Sequence, residues 1–539
     1  MSDRRFNPMQ RTASVEESCF LLRALLLRLL GVVFLIAFVS LWLQVDGLVG
    51  SRGILPVDGY AERAREALGA ARWWKLPSLV WLDPADWMLH ALCAAGVALS
   101  ALLALGVATV PVVAALWAAY LSLAVAGQVF LQFQWDSLLL ETALCSLFLA
   151  PWTWRPGRPV ASRPDPALGV WLWRLLALKL MVLSGAVKLL SFDDSWWRLD
   201  ALEVHFETQP LPLWTAWYAH HLAPVLQRGA TLVVLVVEIA VPFLMFWNRP
   251  ARRVAAGVLI GVQALIAATG SYGFFNLLSI VLCLSLLDDA AVAGIVPRRW
   301  RQAAARRGDL EGPLGGWLPA WKRGPLLRRA ARWSTLRSLL AGAVVLASAL
   351  VAARELVWSV PPRREMPQVL EPVAALVGLT EPALAHLSPF RSINGYGLFR
   401  AMTRERPEIV VEASDDGESW LELRFRWKPG DLTRRPRLVA PHMPRLDWQM
   451  WFAALDPRGA DAWLQGLLYR LGTAEPAVLD LLAETPFGER PPRYLRLVLY
   501  QYRFTTPAER AVGGAWWSRE RLGALTGPLA TAGWPRQPR

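Results

Sequence analysis

Long apolar stretches, separated by shorter polar connectors, dominate the first two thirds of the chain. Most of them have the length that an α-helix needs to cross the hydrocarbon core of a bilayer. The pattern predicts about nine helices, near residues 21–43, 88–108, 110–128, 136–151, 170–190, 225–247, 253–269, 273–288 and 336–357. A polytopic α-helical membrane protein is therefore predicted.

The pattern changes after residue 357. In "PEIVVEASDDGESWLELRFRW" two extended runs flank Asp415-Asp416-Gly417, and apolar and charged residues alternate in the second run, which predicts a β-hairpin. "RYLRLVLYQYRFT" alternates in the same way, whereas "LDWQMWFAAL" and "DAWLQGLLYRL" have the period of amphipathic helices. These segments predict a soluble C-terminal domain with an α+β or β-sandwich-like fold.

The connectors indicate how the helices are oriented. Arginine is concentrated in the loop 152–169, the turn 248–253 and the loop 289–335, so the positive-inside rule places all of these in the cytoplasm. The loop 191–224 is instead rich in Asp and Glu, which predicts the opposite side. With nine helices the alternation is consistent, and everything after residue 357 lies outside the cytoplasm.

These patterns divide the chain into three parts. We expect a transmembrane helical domain over residues 1–357, which includes the cytoplasmic basic loop 289–335. A proline-rich linker is expected over residues 358–392, followed by a non-cytoplasmic C-terminal domain over residues 393–539.

Composition supports a membrane protein over other classes. The chain is 55% hydrophobic, has a formal net charge of +14 and contains 29 tryptophans, a residue that favours the membrane–water interface. The basic residues crowd the connectors, and neither zinc-finger spacing nor an RNA-recognition motif is present, so we expect no nucleic-acid partner. The four cysteines lie in or beside apolar stretches without zinc-site spacing, and we expect neither a metal nor a cofactor.

Ionisable residues inside the predicted spans are candidates for function. Asp136, Glu141, Lys179 and Lys188 are expensive at membrane depth, where such groups face a cavity or pair with each other. Either acid with either lysine would form a natural pair. Alternatively, Asp136 and Lys188 lie at the membrane boundary and extend towards water.

The connector "HFETQPLPLWTAWYAHHL" contains three of the six histidines. Adjacent His220 and His221 point in different directions, which disfavours a metal site. His205 beside Glu207 is a candidate for proton transfer. The favoured interpretation is structural: a rigid, non-cytoplasmic cap on the helices.

A second candidate surface lies in "KPGDLTRRPRLVAPHMPRLDWQMWFAAL", where arginines and tryptophans are mixed as in protein contact surfaces. The candidate client-binding residues are Arg434, Arg435, His442, Arg445, Asp447 and Trp448. Alternatively, Trp448, Trp451 and Phe452 form the core of the C-terminal domain.

Several long stretches resemble the lipase maturation factor family. They include "QWDSLLLET", "LMVLSGAVKL", "ALEVHFETQPLPLWTAWYAHHL", "TGSYGFFNLLSIVLCLSLLDD" and "NGYGLFRAMTRERPEI", and they span roughly residues 130–290 and 390–505. The resemblance implies a polytopic membrane chaperone, which in animals acts in the endoplasmic reticulum and helps secreted dimeric lipases reach their active fold. It also implies that membrane lipid and a secreted lipase or other exported client are partners, and that the client meets the C-terminal domain.

Two features leave alternatives open. The bias towards Ala, Arg, Gly and Pro is typical of a GC-rich bacterial gene, so we expect a bacterial inner-membrane protein with a periplasmic C-terminal domain, or an endoplasmic reticulum protein if the gene is eukaryotic. The membrane part is also distantly similar to vitamin K-dependent carboxylases. An enzyme would use a cavity under loop 203–221, with His205, Glu207, Lys188, Asp136 and Glu141 as its candidate residues. We favour a maturation factor without catalysis.

Overall fold

A computed structural model describes residues 19–107, 110–151, 166–298, 320–361, 366–458 and 461–535. The first part of the chain is helical, and its helices together are called the bundle below. They are α1 Phe20–Trp42, α2 Val45–Val49, α3 Val57–Leu68, α4 Arg72–Lys75, α5 Asp86–Leu105, α6 Val110–Ala126, α7 Gln134–Leu149, α8 Pro166–Leu190, α9 Ala201–Thr208, α10 Trp214–His220, α11 Pro224–Ile239, α12 Arg249–Thr269, α13 Phe275–Leu284, α14 Asp289–Val292 and α15 Ala320–Ser359.

Each of the nine predicted spans coincides with a helix of the structure. By length and composition, the described residues contain seven helical segments able to cross a membrane. These are Phe20–Trp42, Asp86–Leu105, Ala167–Leu190, Pro224–Phe246, Arg249–Thr269, Ser334–Ser359 and Gln368–Phe390. The predicted spans 110–128, 136–151 and 273–288 form the shorter helices α6, α7 and α13. The prediction of a polytopic membrane protein is confirmed.

The predicted linker contains a helix. α16, Glu371–Leu387, begins with a proline in its first turn, a position where the missing N–H has no helical partner to lose. It packs along α15, where Arg354 Nη1 lies 3.3 Å from Glu381 Oε1. Residues 358–392 are thus partly folded against the bundle.

The C-terminal part combines helices with one antiparallel sheet. Its helices are α17 Arg445–Leu455, α18 Asp461–Gly472, α19 Pro476–Leu479 and α20 Pro507–Gly513. Its strands are β1 Arg406–Ser414, β2 Leu421–Phe425, β3 Leu482–Glu484, β4 Tyr494–Phe504, β5 Trp517–Ala524 and β6 Leu529–Ala530. The order is β3-β2-β1-β4-β5, with β6 paired to β4. The predicted hairpin, strand and two helices are confirmed. The described strands form one sheet, and with the helices they make an α+β fold.

One hydrophobic core runs through both parts. Val411 of β1 pairs with Leu423 of β2 and with Leu497 of β4, and all three side chains are buried on the same face of the sheet. That face packs against α17 and joins a buried cluster that continues into α1, α6, α7, α8 and α13. Because the core is continuous, the domain boundaries at residues 357 and 392 stay a prediction.

Candidate functional site at the junction of bundle and sheet

A first polar centre joins α7 to α17. The guanidinium of Arg445 donates two hydrogen bonds to the carboxylate of Asp136, with Nη1–Oδ2 and Nη2–Oδ1 distances of 2.9 and 2.8 Å. Tyr120 donates to the same carboxylate at 2.5 Å, and Arg445 Nη1 also donates to the carbonyl oxygen of Phe130 at 2.7 Å. Both charged side chains are only 1% exposed. Asp136 therefore belongs to an internal ion pair and does not extend towards water.

The chain just before α17 is attached to the end of α1. The backbone N–H groups of Met443 and Arg445 donate to Ser40 Oγ and Gln44 Oε1, each at 2.9 Å. The Gln44 amide donates back to the carbonyl oxygen of Met443 at 2.9 Å. Half-buried His442 places Nδ1 2.9 Å from Ser40 Oγ. These contacts fix the backbone from which the Arg445 side chain enters the bundle.

A second polar centre joins α7, α8 and α15. Glu141 Oε1 accepts hydrogen bonds from the ammonium of Lys179 and from Ser348 Oγ, the latter at 3.2 Å. Its Oε2 accepts from the hydroxyl of Tyr396 at 2.6 Å and from the backbone N–H of Asn394 at 3.1 Å. The predicted pairing of Glu141 with Lys179 is confirmed. Asn394 and Tyr396, from the segment before the sheet, are two of the four residues that bind this carboxylate.

Lys188 forms a third internal pair. Its ammonium donates to Glu238 Oε2 of α11 at 2.5 Å, and both side chains are less than a tenth exposed. The same nitrogen lies 4.7 Å from the centre of the Trp196 ring, whose π face attracts a cation. The predicted pairing of Lys188 with Asp136 or Glu141 is wrong, because Glu238 takes that place. Lys188 is likewise buried and does not extend towards water.

The histidine-rich connector is bound to the sheet. Helix α9 ends at Thr208, and Pro210 cannot continue it because proline lacks the backbone N–H. The guanidinium of Arg406 in β1 donates to the carbonyl oxygens of Glu207 and Pro210, at 2.6 and 2.8 Å. The indole of Trp451 donates to the carbonyl oxygen of Thr208 at 2.9 Å. These bonds support the interpretation of this connector as a rigid cap.

The titratable groups of the connector have separate partners. His205 Nε2 lies 3.2 Å from the hydroxyl of Tyr272, whereas Glu207 lies 3.1 Å from His220 Nε2. Burial, together with the nearby charge of Lys188, lowers the pKa of His205 to about 4. A neutral imidazole with so low a pKa is a weak base near neutral pH. The structure therefore does not bring His205 and Glu207 together as a proton-transfer pair.

Three of the candidate client-binding residues are internal. Arg445 is 1% exposed, and Asp447 and Trp448 are each 3% exposed. Asp447 Oδ1 accepts two backbone N–H groups at 2.9 and 2.8 Å, and the Trp448 ring packs edge-on against Trp135 with 4.8 Å between centres. These side chains hold the C-terminal domain together and join it to the bundle. They offer no surface to another protein, as the core interpretation of Trp448 anticipates.

The exposed part of the predicted surface is the segment 431–438, called the arginine loop below. Arg435 and Arg437 are exposed, and Leu438 is 62% exposed. Arg434 is half-buried and donates to a carbonyl oxygen of β2 at 3.2 Å. The loop thus presents two cations and one apolar side chain to its surroundings.

Two family models match both parts of this junction. The lipase maturation factor transmembrane domain matches residues 21–294, and the lipase maturation factor C-terminal domain matches residues 392–527. The chain belongs to the lipase maturation factor family. This confirms the resemblance found in the sequence.

Curated members of the family align with most of the chain. Lipase maturation factor 2 of Homo sapiens is 37% identical, covering 92% of this chain and 81% of the relative. Lipase maturation factor 2 of Gallus gallus is 35% identical, covering 93% and 80%. Lipase maturation factor 1 of Homo sapiens is 32% identical, covering 95% and 88%. No solved structure shows a significant match.

The opposite end of the bundle in this member of the lipase maturation factor family is closed by its own helices. Arginine side chains there donate to backbone carbonyl oxygens at or just beyond the ends of neighbouring helices, at 2.7 to 2.8 Å. The contacts are those of Arg174 with Ser285, Arg252 with Leu286 and Arg337 with Phe148. Together they concentrate positive charge at the end far from the sheet.

Sequence reasoning missed three residues that bind the bundle to the C-terminal part of this family member. Asn394, Tyr396 and Arg406 all lie in or beside "NGYGLFRAMTRERPEI", a stretch that carries the family resemblance. The signal available was an unusual cluster of polar and glycine residues directly before a strand. Which carboxylate or carbonyl each one reaches depends on tertiary packing.

Proposed function

We propose that this chain is a membrane-anchored maturation factor that assists the folding or assembly of secreted lipases or other exported proteins. One observation carries the proposal: the two regions matched to the family are joined by the buried Asp136–Arg445 ion pair and by hydrogen bonds from Asn394 and Tyr396 to buried Glu141, while the arginine loop stays exposed. The bundle would then hold the C-terminal domain at a fixed height above the membrane. The names of the relatives, lipase maturation factors 1 and 2, support the choice of client.

The arginine loop is the proposed client-binding surface. Arginine, together with Trp and Tyr, is enriched at the energetically important positions of protein interfaces. Arg435 lies 5.6 Å from the centre of the Trp214 ring, which holds the guanidinium near α10 without burying it. A partly folded client exposes apolar segments, and Leu438 offers an exposed apolar contact next to Arg437.

We further propose that the protein is a bacterial inner-membrane protein with a periplasmic C-terminal domain. Support comes from the arginine-rich end of the bundle, which the positive-inside rule assigns to the cytoplasm. The sheet packs at the other end, beside the last turn of α1. In a eukaryotic cell the same orientation would place the sheet in the lumen of the endoplasmic reticulum, and the relatives named above are from animals.

The enzyme alternative is not favoured. A general acid or base must reach the reacting atom of a substrate. Asp136, Glu141 and Lys188 are instead at most 5% exposed and are engaged with other side chains of the same chain. The described residues contain no group of three or more His, Cys, Asp or Glu side chains placed to hold a metal ion.

The triple variant Arg435→Ala, Arg437→Ala, Leu438→Ser tests the client surface. We expect roughly tenfold weaker capture of a secreted lipase or more, because interface arginines that matter cost above about 1 kcal/mol each on truncation. Capture is measured by co-purification from the membrane, alongside the specific activity of the secreted lipase.

The matched control is Arg490→Ala, which removes an arginine of the same domain that is 60% exposed and far from the loop in sequence. This variant should capture the lipase normally. Equal capture by the triple variant and the control would rule out the arginine loop as the client surface.

A further inference from the structure

A large groove lies between α1 and the C-terminal domain. Its volume is about 680 Å³, within the range of small-molecule sites in proteins. One wall is the second half of α1, and the other is formed by segments around Trp427, Val439 and Leu446. The groove therefore lies where a candidate membrane span meets the domain that packs on its end.

The α1 wall of the groove is apolar. Leu35, Ile36, Val39 and Leu43 line it, at the spacing of one helical face. Val39 is 39% exposed and Leu43 is 74% exposed, although the opposite face of α1 is buried against α5. Since α1 has the length and composition of a membrane span, an apolar face exposed on it would meet the hydrocarbon phase, and lipid could enter the groove from there.

The polar atoms at the floor of the groove are already bound within the protein. Ser40 Oγ and the Gln44 side chain are engaged with the backbone of residues 443–445 and with His442. They hold the groove in shape and leave its apolar wall as the main contact for a ligand. An acyl chain matches such a wall, because it brings no polar group that needs a partner.

The rim of the groove carries one charge of each sign. Arg426 is exposed, and of its five guanidinium N–H donors the Nε–H binds the carbonyl oxygen of Leu482 at 2.8 Å. Asp480 is exposed on the adjoining turn after α19. A cation and an anion above an apolar slot complement a headgroup that contains both a phosphate and an amine.

We propose that this groove binds a phospholipid with a zwitterionic, amine-bearing headgroup. One acyl chain lies along Leu35, Val39 and Leu43, the phosphate meets Arg426, and the ammonium meets Asp480. The lipid would fill the space between α1 and the C-terminal domain. The inference does not depend on the identity of the client.

Native mass spectrometry of the full chain, released from nanodiscs with equal parts phosphatidylethanolamine, phosphatidylglycerol and phosphatidylcholine, tests the proposal. We expect bound phosphatidylethanolamine to be enriched over its bulk share. Val39→Trp and Leu43→Trp should lower bound lipid roughly tenfold by filling the groove, and Arg426→Gln should do so by removing a charge-assisted contact. Asp480→Asn should abolish the preference for phosphatidylethanolamine over phosphatidylglycerol.

Leu102→Trp is the matched control, since Leu102 is 42% exposed on α5, outside the groove. It should retain lipid like the parent. The Leu43→Trp variant should fold normally, because so exposed a position takes a larger side chain without repacking the bundle. A loss of lipid in this variant would therefore not be due to misfolding. Retention of lipid by both groove variants would overturn the proposal. If those variants kept their lipid but lost lipase capture, the groove would be a peptide site and the lipid proposal would be wrong.

Discussion

At both ends of the bundle, arginine side chains donate hydrogen bonds to backbone carbonyl oxygens. The arginines at the two ends come from different parts of the chain. At the end far from the sheet the arginines come from the helices themselves, namely Arg174, Arg252 and Arg337. At the end beside the sheet they come from later in the chain, namely Arg391 at the end of the predicted linker and Arg406 and Arg445 of the C-terminal part.

The difference shows that the C-terminal domain completes the bundle. The last carbonyl groups of a helix have no partner within it, and a buried carbonyl without a partner is costly. At one end the bundle meets this requirement alone. At the other, carbonyl oxygens such as those of Phe130 and Leu131 are satisfied by Arg445 and Arg391. This end of the bundle therefore depends on residues that lie 260 and 315 positions later in the chain.

Removing Arg445 from the first polar centre should lower the free energy of unfolding more than any other change considered below. In Arg445→Met the carboxylate of Asp136 loses both of its guanidinium bonds in a site that is 1% exposed. Removing one partner of a buried ion pair costs about 3–5 kcal/mol. We expect a clearly lower midpoint of thermal unfolding in detergent, together with faster proteolysis between the bundle and the sheet.

The double variant Arg445→Met, Asp136→Leu sharpens this test. Replacing both partners by apolar groups leaves no unpaired charge, so most of the lost stability should return. If the double variant were as unstable as Arg445→Met alone, the ion pair would not be the cause.

A smaller loss of stability is expected for Arg406→Gln, which releases the cap. Arg406 binds the carbonyl oxygens of Glu207 and Pro210 and pairs with buried Glu408. Because Lys428 also pairs with Glu408, at 2.8 Å, the variant leaves no buried charge without a partner. Hydrogen exchange should rise in residues 201–213 and stay unchanged in α13. The comparison variant Arg174→Gln should raise exchange at the other end of the bundle alone. Increased exchange at both ends in either variant would contradict the separation of the two ends.

The smallest effect is a pH dependence of stability to which His442, at the end of the bundle beside the sheet, contributes. Burial, with the charges of Arg445 and Arg426, lowers the pKa of His442 from 6.5 to about 4. Between these values the unfolded chain binds more protons than the folded protein, so stability rises with pH. We expect the unfolding temperature to fall as the pH is lowered from about 7 towards about 4. His205 and His220 have similarly lowered pKa values of about 4, so His442→Gln should reduce this slope without removing it. An unchanged slope would exclude His442 as a contributor.

Much of the fold was predictable because it follows from local patterns. Apolar length marks the helices, and the alternation in "LELRFRW" and "RYLRLVLYQYRFT" marks β2 and β4. Glu141 and Lys179 could be paired from sequence because both are costly alone at membrane depth. The helix α16 was missed because its prolines suggested a linker, although Pro372 lies in its first turn, where proline is tolerated.

The site was less predictable, because its partners are far apart in the chain. Asp136 reaches Arg445 across 309 positions, and no local period indicates such a contact. Arginine and tryptophan are also typical of both exposed interfaces and internal junctions, so composition alone assigned Arg445 and Trp448 to a client surface. Their burial separates the two cases: the internal residues join the two parts of the chain, and the exposed arginine loop remains as the proposed client surface.

The Asp136–Arg445 pair also sets an order of events during synthesis. At about 5–20 residues per second, the 309 positions between them correspond to roughly 15–60 s of translation. Throughout that time the carboxylate of Asp136 lacks the guanidinium that later pairs with it. A chain that ended before residue 445 would keep this acid without that partner, so the pair can form only in a molecule whose C-terminal part has been made.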